Sequence, residues 1–204
     1  MSDMKSIRFP PPTADEEIRA ILADRKTATR RVVKPQHLRV LSSPYHRQHP
    51  EVPDKVLLEK LCEPPYRPGD ILYVRETWAK VGDNAYGYKA DDVWIVPRWR
   101  PSIHMPREAA RIFLRVTDVR VERLQDITEE QARAEGAQPL MITTDVEKPD
   151  CEKMWDEWLP ALPSFIHHWD STIKPADRAL YGWAANPWVR GIEFERISKE
   201  EAMQ

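Results

Sequence analysis

Proline outnumbers glycine by 19 to 6 in this chain of 204 residues. Few positions can take left-handed backbone at no cost, so many turns must be built from proline's fixed φ. Phosphate-cradling loops depend on glycine, and neither GxGxxG nor GxxxxGK[ST] occurs. That disfavours the dinucleotide-binding and P-loop classes. The 41% hydrophobic and 31% charged residues suit one soluble domain. No run approaches the ~18 apolar residues of a membrane span. The first residues, MSDMKSIRFPPP, lack the apolar core of a secretory signal. Cys62 and Cys151 are too few and too far apart for a disulfide framework. A cytoplasmic protein is the expectation.

Charge is nearly balanced at net -2, which disfavours a protein that is basic throughout, but it is segregated. Residues 25–39 hold six cations and no carboxylate, and residues 95–115 hold five arginines against Glu108. Acids gather at 126–135 and 145–157. A local cationic cleft and simple solvated faces both fit this pattern. Eight tryptophans serve either as core or as stacking surfaces for bases.

Thr13 and Glu16 predict a capping box, followed by a helix that buries Ile18, Ile21 and Leu22. Lys26 to Arg31 then lies just past a helix C-terminus, where cations are favoured. Six prolines in 40–68 predict a long loop with at most one short element. YRPGD is a turn signal, and ILYVRETWA (71–79) reads as a strand with Leu72, Val74, Glu76 and Trp78 on one face. YGYKA is a short strand, and 99–110 is irregular. The stretch 111–124 is the clearest strand, and its alternation breaks near Thr117–Asp118, which predicts a bulge. Residues 126–137 are a short helix capped by Thr128 and Gln131 and stopped by Gly136. A helix is expected around Met154, Trp155, Trp158 and Leu159, and a final strand over 186–197 with Trp188, Ile192 and Phe194 on one face. This order is not βαβ alternation; it suggests an α+β domain with a small, bent, mostly antiparallel sheet, closed into a barrel.

No CxxC or HExxH occurs, so no metal or cofactor is expected. The K-T-x-T-x-R stretch puts Lys26, Thr27, Thr29, Arg30 and Arg31 within six residues. An anion site and a lysine-activated threonine nucleophile both fit it. Glu135 sits in the last turn of its helix, facing the negative end of the dipole, and calls for a compensating cation. Glu76 is either a pocket acid or an ion-pair partner.

The strings RKTATRRVVKP, YRPGDILYVRETWA, WRPSIHMPREAARIFLRVTDVRVERLQDITEEQARAEG and YGWAANPWVRGIEF together resemble ASCH-domain proteins of the type common in phages and prophages. The resemblance spans roughly residues 15–197. It implies a PUA-like β-barrel with a pocket for RNA, a nucleotide or a modified nucleoside. Some family members are amidohydrolases that deacetylate N4-acetylcytidine. Their motif matches Lys26, Thr29 and Glu135, which implies catalytic roles for these three. Asp24 stands where relatives often place a glycine, and this chain is longer than the small amidohydrolases.

Two insertions are expected in a single domain over 1–204: a proline-rich one at about 35–68 and an acidic, Trp-rich helical one at about 138–175. The first reading is a hydrolase on an N-acylated cytosine nucleoside; a non-catalytic RNA or modified-base reader and a ribonuclease are the alternatives. In the hydrolase, Thr29 attacks the amide, Lys26 takes its proton and Glu135 handles the amine. Arg31, Glu76, Trp78, Arg100 and His104 complete the expected substrate-binding set, with Trp78 stacking on the base and Arg98, Arg100 and Arg107 meeting phosphates. No membrane and no obligate protein partner is implied. Truncation of Lys26, placed beyond a helix end, is expected to cost little stability.

Overall fold

The computed structural model describes residues 4–61, 63–83, 85–92, 96, 98–142 and 157–204. The expectations on Cys62, Cys151, Met154 and Trp155 lie outside them. Strands are β1 (Lys5–Arg8), β2 (Ala28–Val32), β3 (Ile71–Arg75), β4 (Trp78–Lys80), β5 (Tyr86–Tyr88), β6 (Phe113–Arg123), β7 (Leu140–Ile142), β8 (Glu157–Leu159) and β9 (Trp188–Ile197). The α-helices are α1 (Ala14–Leu22), α2 (Pro35–Leu38), α3 (Pro44–Gln48), α4 (Asp54–Leu61), α5 (Glu129–Ala134), α6 (Ala161–Thr172), α7 (Arg178–Tyr181) and α8 (Lys199–Ala202).

Five strands form one sheet in the order β1-β3-β6-β9-β2, antiparallel except for the β1–β3 pair. The α+β reading holds. The closed barrel does not: among the described residues the sheet stays open, with β1 and β2 as its edges. Ile18 and Ile21 of α1 pack with Ile7, Leu72, Leu114 and Ile192, so a helix, rather than a further strand pairing, covers that face of the sheet. The edges meet through a side chain instead, Arg31 Nη2 donating to the Arg8 carbonyl at 2.7 Å.

The expected bulge in β6 is present as a register shift between Val116 and Asp118. It lets Leu114 and Val116 face one core while Val121 reaches another with Val33 and Leu58. Ile192 and Phe194 join the first core, and Trp188 packs against the second. The expected strand 71–79 is two strands, with β4 turning away to pair with β5.

Three expectations are corrected. Thr13 stands at the N-cap of α1, but its hydroxyl donates to the Glu17 carboxylate at 3.1 Å and makes no cap. The segment 40–68 carries α3 and α4 rather than a loop. Pro44 opens α3 at a first-turn position, where its missing N–H costs nothing, so prolines start helices here as well as break them. Trp158 and Leu159 lie in β8, and the helix after them begins only at Ala161. The Glu129 carboxylate accepts from the Ala161 and Leu162 amides at 2.7 and 3.0 Å and so supplies the missing cap of α6.

Candidate functional site: a buried ion cluster and an open seam

Asp24 turns the chain out of α1 with φ at 53°, in the left-handed region that Asp tolerates better than most residues. The next two amides, of Arg25 and Lys26, both donate to the Ala20 carbonyl at 2.9 and 3.1 Å. That turn points Lys26 at the end of α5. The α5 cap is the predicted one: Thr128 accepts from the Gln131 amide at 3.3 Å, and Gln131 accepts from the Thr128 amide at 3.1 Å. Gly136 ends the helix with φ at 90°, and an added Cβ would stand 3.2 Å from the Ala20 and Lys26 side chains. Both the conformation and the close approach require glycine there.

Lys26 and Glu135 meet. Lys26 Nζ donates to the Glu135 carboxylate and carbonyl, each at 2.8 Å, and stands 3.4 Å from Glu17. Arg30 donates to Glu135 at 3.2 Å and to Glu122 at 2.8 Å, and Arg120 donates to Glu122 at 2.9 Å. The side chains of Lys26 and Arg30 are each 1% exposed. Glu17, Glu135 and Glu122 thus face Lys26 and Arg30 in the interior, and the half-buried Arg120 closes the cluster at its edge. The cations that Glu135 calls for at its helix end are Lys26 and Arg30.

Burial pushes the Glu17 carboxyl up, but the hydrogen bond from His168 and the charges of Lys26 and Arg31 outweigh it and hold it at about 2. A cavity of about 310 Å³ opens on this cluster, with Glu17, Glu135, Arg25, Phe165 and His168 in its wall.

The other expected site residues do not join it. Thr29 is buried on β2 opposite Ile192, and among the described residues its hydroxyl makes no hydrogen bond to Lys26 or Glu135. Arg31 follows Arg30 on the strand and so faces the other way, over the Phe9 ring at 5.4 Å. Glu76 is clamped by Arg111 through two bonds of 2.9 Å. Burial pushes its carboxyl up, and Arg111 only partly offsets this, so the net shift is upward. This is the ion-pair alternative for Glu76, which does not line the cavity beside Glu135. Trp78 is 4% exposed, packed with Met105 and Phe113 under the Arg100 guanidinium, which corrects its reading as a stacking surface. Arg100 and His104 are exposed around a separate cavity.

The sequence does not single out Glu17, Glu122 or His168, and it shows Arg30 only as a member of the K-T-x-T-x-R stretch. The available signal was period-two alternation across 28–32. It separates Arg30 from Arg31, but its apolar residues are only Ala28 and Val32 at the two ends, so it does not announce a strand.

A larger cavity, about 1140 Å³, follows the seam between the sheet edges. Arg8 of β1 and Arg31 of β2 line it together with Phe9, Lys34, Tyr66 and Arg75. Lys89, also in its wall, pairs with Asp15 at 3.3 Å. Arg8 and Lys34 are exposed and have no carboxylate partner among the described residues. Those residues contain no group of three or more His, Cys, Asp or Glu able to hold a metal, and no helix long and apolar enough to cross a membrane.

No family model and no curated protein matches the chain. An ASCH domain is among its structural neighbours. That domain, from Lactobacillus crispatus JV V101, is 12% identical, with 96% of this chain and 80% of that one covered at a TM-score of 0.41. A protein of Enterococcus faecalis V583 assigned to the DUF984 family is 12% identical, with 100% and 83% covered at a TM-score of 0.48.

Proposed function

We infer that this protein is an ASCH-type, PUA-like module that binds RNA and takes a nucleotide into the seam between β1 and β2. The observation that carries this reading is the lining of that seam. Exposed Arg8 and Lys34 stand at a cavity that also holds Arg31, Arg75 and the half-buried ring of Tyr66. Cations suit phosphate, and an aromatic beside them suits a base. Arg31 is held in place by the Arg8 carbonyl and the Phe9 ring, so less freedom is lost when a phosphate arrives.

The test is the binding of a fluorescent two-nucleotide RNA, read by anisotropy. Replacing both Arg8 and Lys34 by Ala should weaken it about fivefold, the combined effect of two exposed charge contacts. Unchanged binding would sink the seam as the site.

The amidohydrolase remains a second reading, favoured by one observation: Lys26 touches Glu135, and Glu135 lines a cavity of about 310 Å³. In it a neutral Lys26 takes the Thr29 hydroxyl proton as Thr29 attacks the acetyl carbonyl, Glu135 relays that proton to the departing amine, and water then cleaves the Thr29 acetyl ester to acetate and frees the hydroxyl. It ranks second because the Lys26 ammonium is engaged on three sides and the Thr29 hydroxyl does not touch it. Incubation with N4-acetylcytidine, read by mass spectrometry, decides it; no cytidine formed over a day removes the reading.

A further inference from the structure

A second cationic cavity, of about 760 Å³, lies beyond the seam, and Pro101 is in the wall of both. Ser102 and Ile103 continue from Pro101 into the seam, and Arg100 and His104 into the second cavity. Lys80 and Arg98 complete its charge, and no carboxylate is among its described lining residues. Lys80, Arg98 and Arg100 are all exposed, and none has a carboxylate partner among the described residues. A stretch of unmatched positive charge in a concave wall costs self-repulsion, and a polyanion relieves it.

Arg100 is the fixed point of this wall. Its backbone pairs with Trp78 in both directions, at 2.8 and 3.1 Å, and its guanidinium lies over the Trp78 ring with 5.1 Å to the centroid. The guanidinium thus rests against the protein on its Trp78 side, while the side chain remains exposed to solvent. Guanidinium planes of this kind stack on bases while their N–H groups take phosphates.

We propose that the two cavities form one track, so that the protein's ligand is a single strand several nucleotides long that passes Pro101, rather than a free nucleotide. The proposal rests on the reading of the seam given above and extends it by naming the polymer. Lys80, Arg98 and Arg100 hold the phosphates of the part of the strand outside the seam. Arg107 lines neither cavity and is not part of the track.

Anisotropy with two single-stranded RNAs, of about two and about eight nucleotides, tests this within the site sizes usual for such grooves. The longer RNA should bind about tenfold more tightly. The Lys80→Glu/Arg98→Glu variant should lose that advantage and leave the short RNA unaffected. The neutral pair Lys80→Gln/Arg98→Gln should lower the salt slope for the long RNA by about 1.4, two phosphate contacts' worth on a single strand. Both side chains are exposed, and an unchanged melting temperature confirms the fold; the neutral pair serves if charge reversal perturbs it. Equal affinity for the two lengths, with the short RNA still sensitive to Arg8 and Lys34, overturns the track and leaves the seam standing. Failure of both RNAs to bind overturns both. Displacement of the long RNA by a polyglutamate of equal charge, at equal concentration, overturns the nucleic acid in favour of an acidic protein segment.

Discussion

Lys26 is a structural residue first. The sequence places it beyond a helix end, where truncation is cheap; the fold closes over it and sets two carboxylates against it. Lys26→Met leaves Glu17 and Glu135 short of a cation, and breaking a buried pair from one side costs about 3–5 kcal/mol. The measurement is urea unfolding, and a loss under 1 kcal/mol would mean that water reaches the cluster. Gly191 makes the same point on the other side of Arg30. A Cβ there would stand 3.2 Å from Glu122 Oε1. Glu122 cannot yield, since Arg30 and Arg120 grip it from both sides. Gly191→Ala is expected to destabilise by about 1–2 kcal/mol, the cost of mild overpacking, despite alanine's smaller unfolded-state entropy. A stabilised variant would show the cluster to be looser than its distances imply. Glu135 was the legible member of this group, because a carboxylate at the wrong end of a helix calls for a cation. Of its partners, Lys26 was legible through the family resemblance alone, and Arg30 was not legible, because 105 residues separate it from Glu135.

Among elements, α5 depends most on its punctuation. With six residues it is too short to be stable by itself, so its cap and its packing against α6 hold it. Thr128→Ala removes the cap at a cost of about 1 kcal/mol. If the cap also places Glu135, the loss should be smaller in a Lys26→Met background, which a double-mutant cycle reads; strict additivity would uncouple cap and cluster. The sequence shows α5, the β6 bulge and β9 plainly, because each carries its own local code: a capping box, a parity break, an alternation. It hides β2, a strand of Ala, Thr and Arg, since period-two alternation is recognised by apolar residues. It hides α3 because proline, read as a breaker, also fits the first turn of a helix, and α4 because the prolines on either side of it mask a short apolar pattern. Barrel closure was not legible at all. It depends on how the two edge strands meet, and only the packing of α1 decides that.

For the whole molecule the acid limb of stability is set by groups of opposite sign. The Glu17 carboxyl, held at about 2, stabilises fully above its ordinary value of 4.5 and loses that contribution as pH falls toward 2, up to about 3 kcal/mol. Glu76 is shifted upward by burial, so its charged form weakens the fold as pH rises above 4.5. The two act in separate windows. Urea midpoints between pH 2.5 and 4.5 should therefore fall with acid in the native protein and much less in Glu17→Gln. Parallel curves would assign the acid limb to other carboxylates.

The Lys26–Glu135 contact also sets a timetable. It joins positions 109 residues apart, and backbone pairing runs alongside it, the Thr27 amide donating to the Ala134 carbonyl at 2.7 Å. Closing a loop of that length is entropically costly, so the clasp forms only once the sheet between its ends is in place. It has no independent existence as a local turn, and the ionic site assembles or dissolves together with the strands. Deuterium should therefore reach the Thr27 amide only through global opening, as slowly as it reaches the centre of β9. Faster exchange at Thr27 would reveal a hinge at the clasp, through which the buried charges could meet solvent while the sheet stays folded.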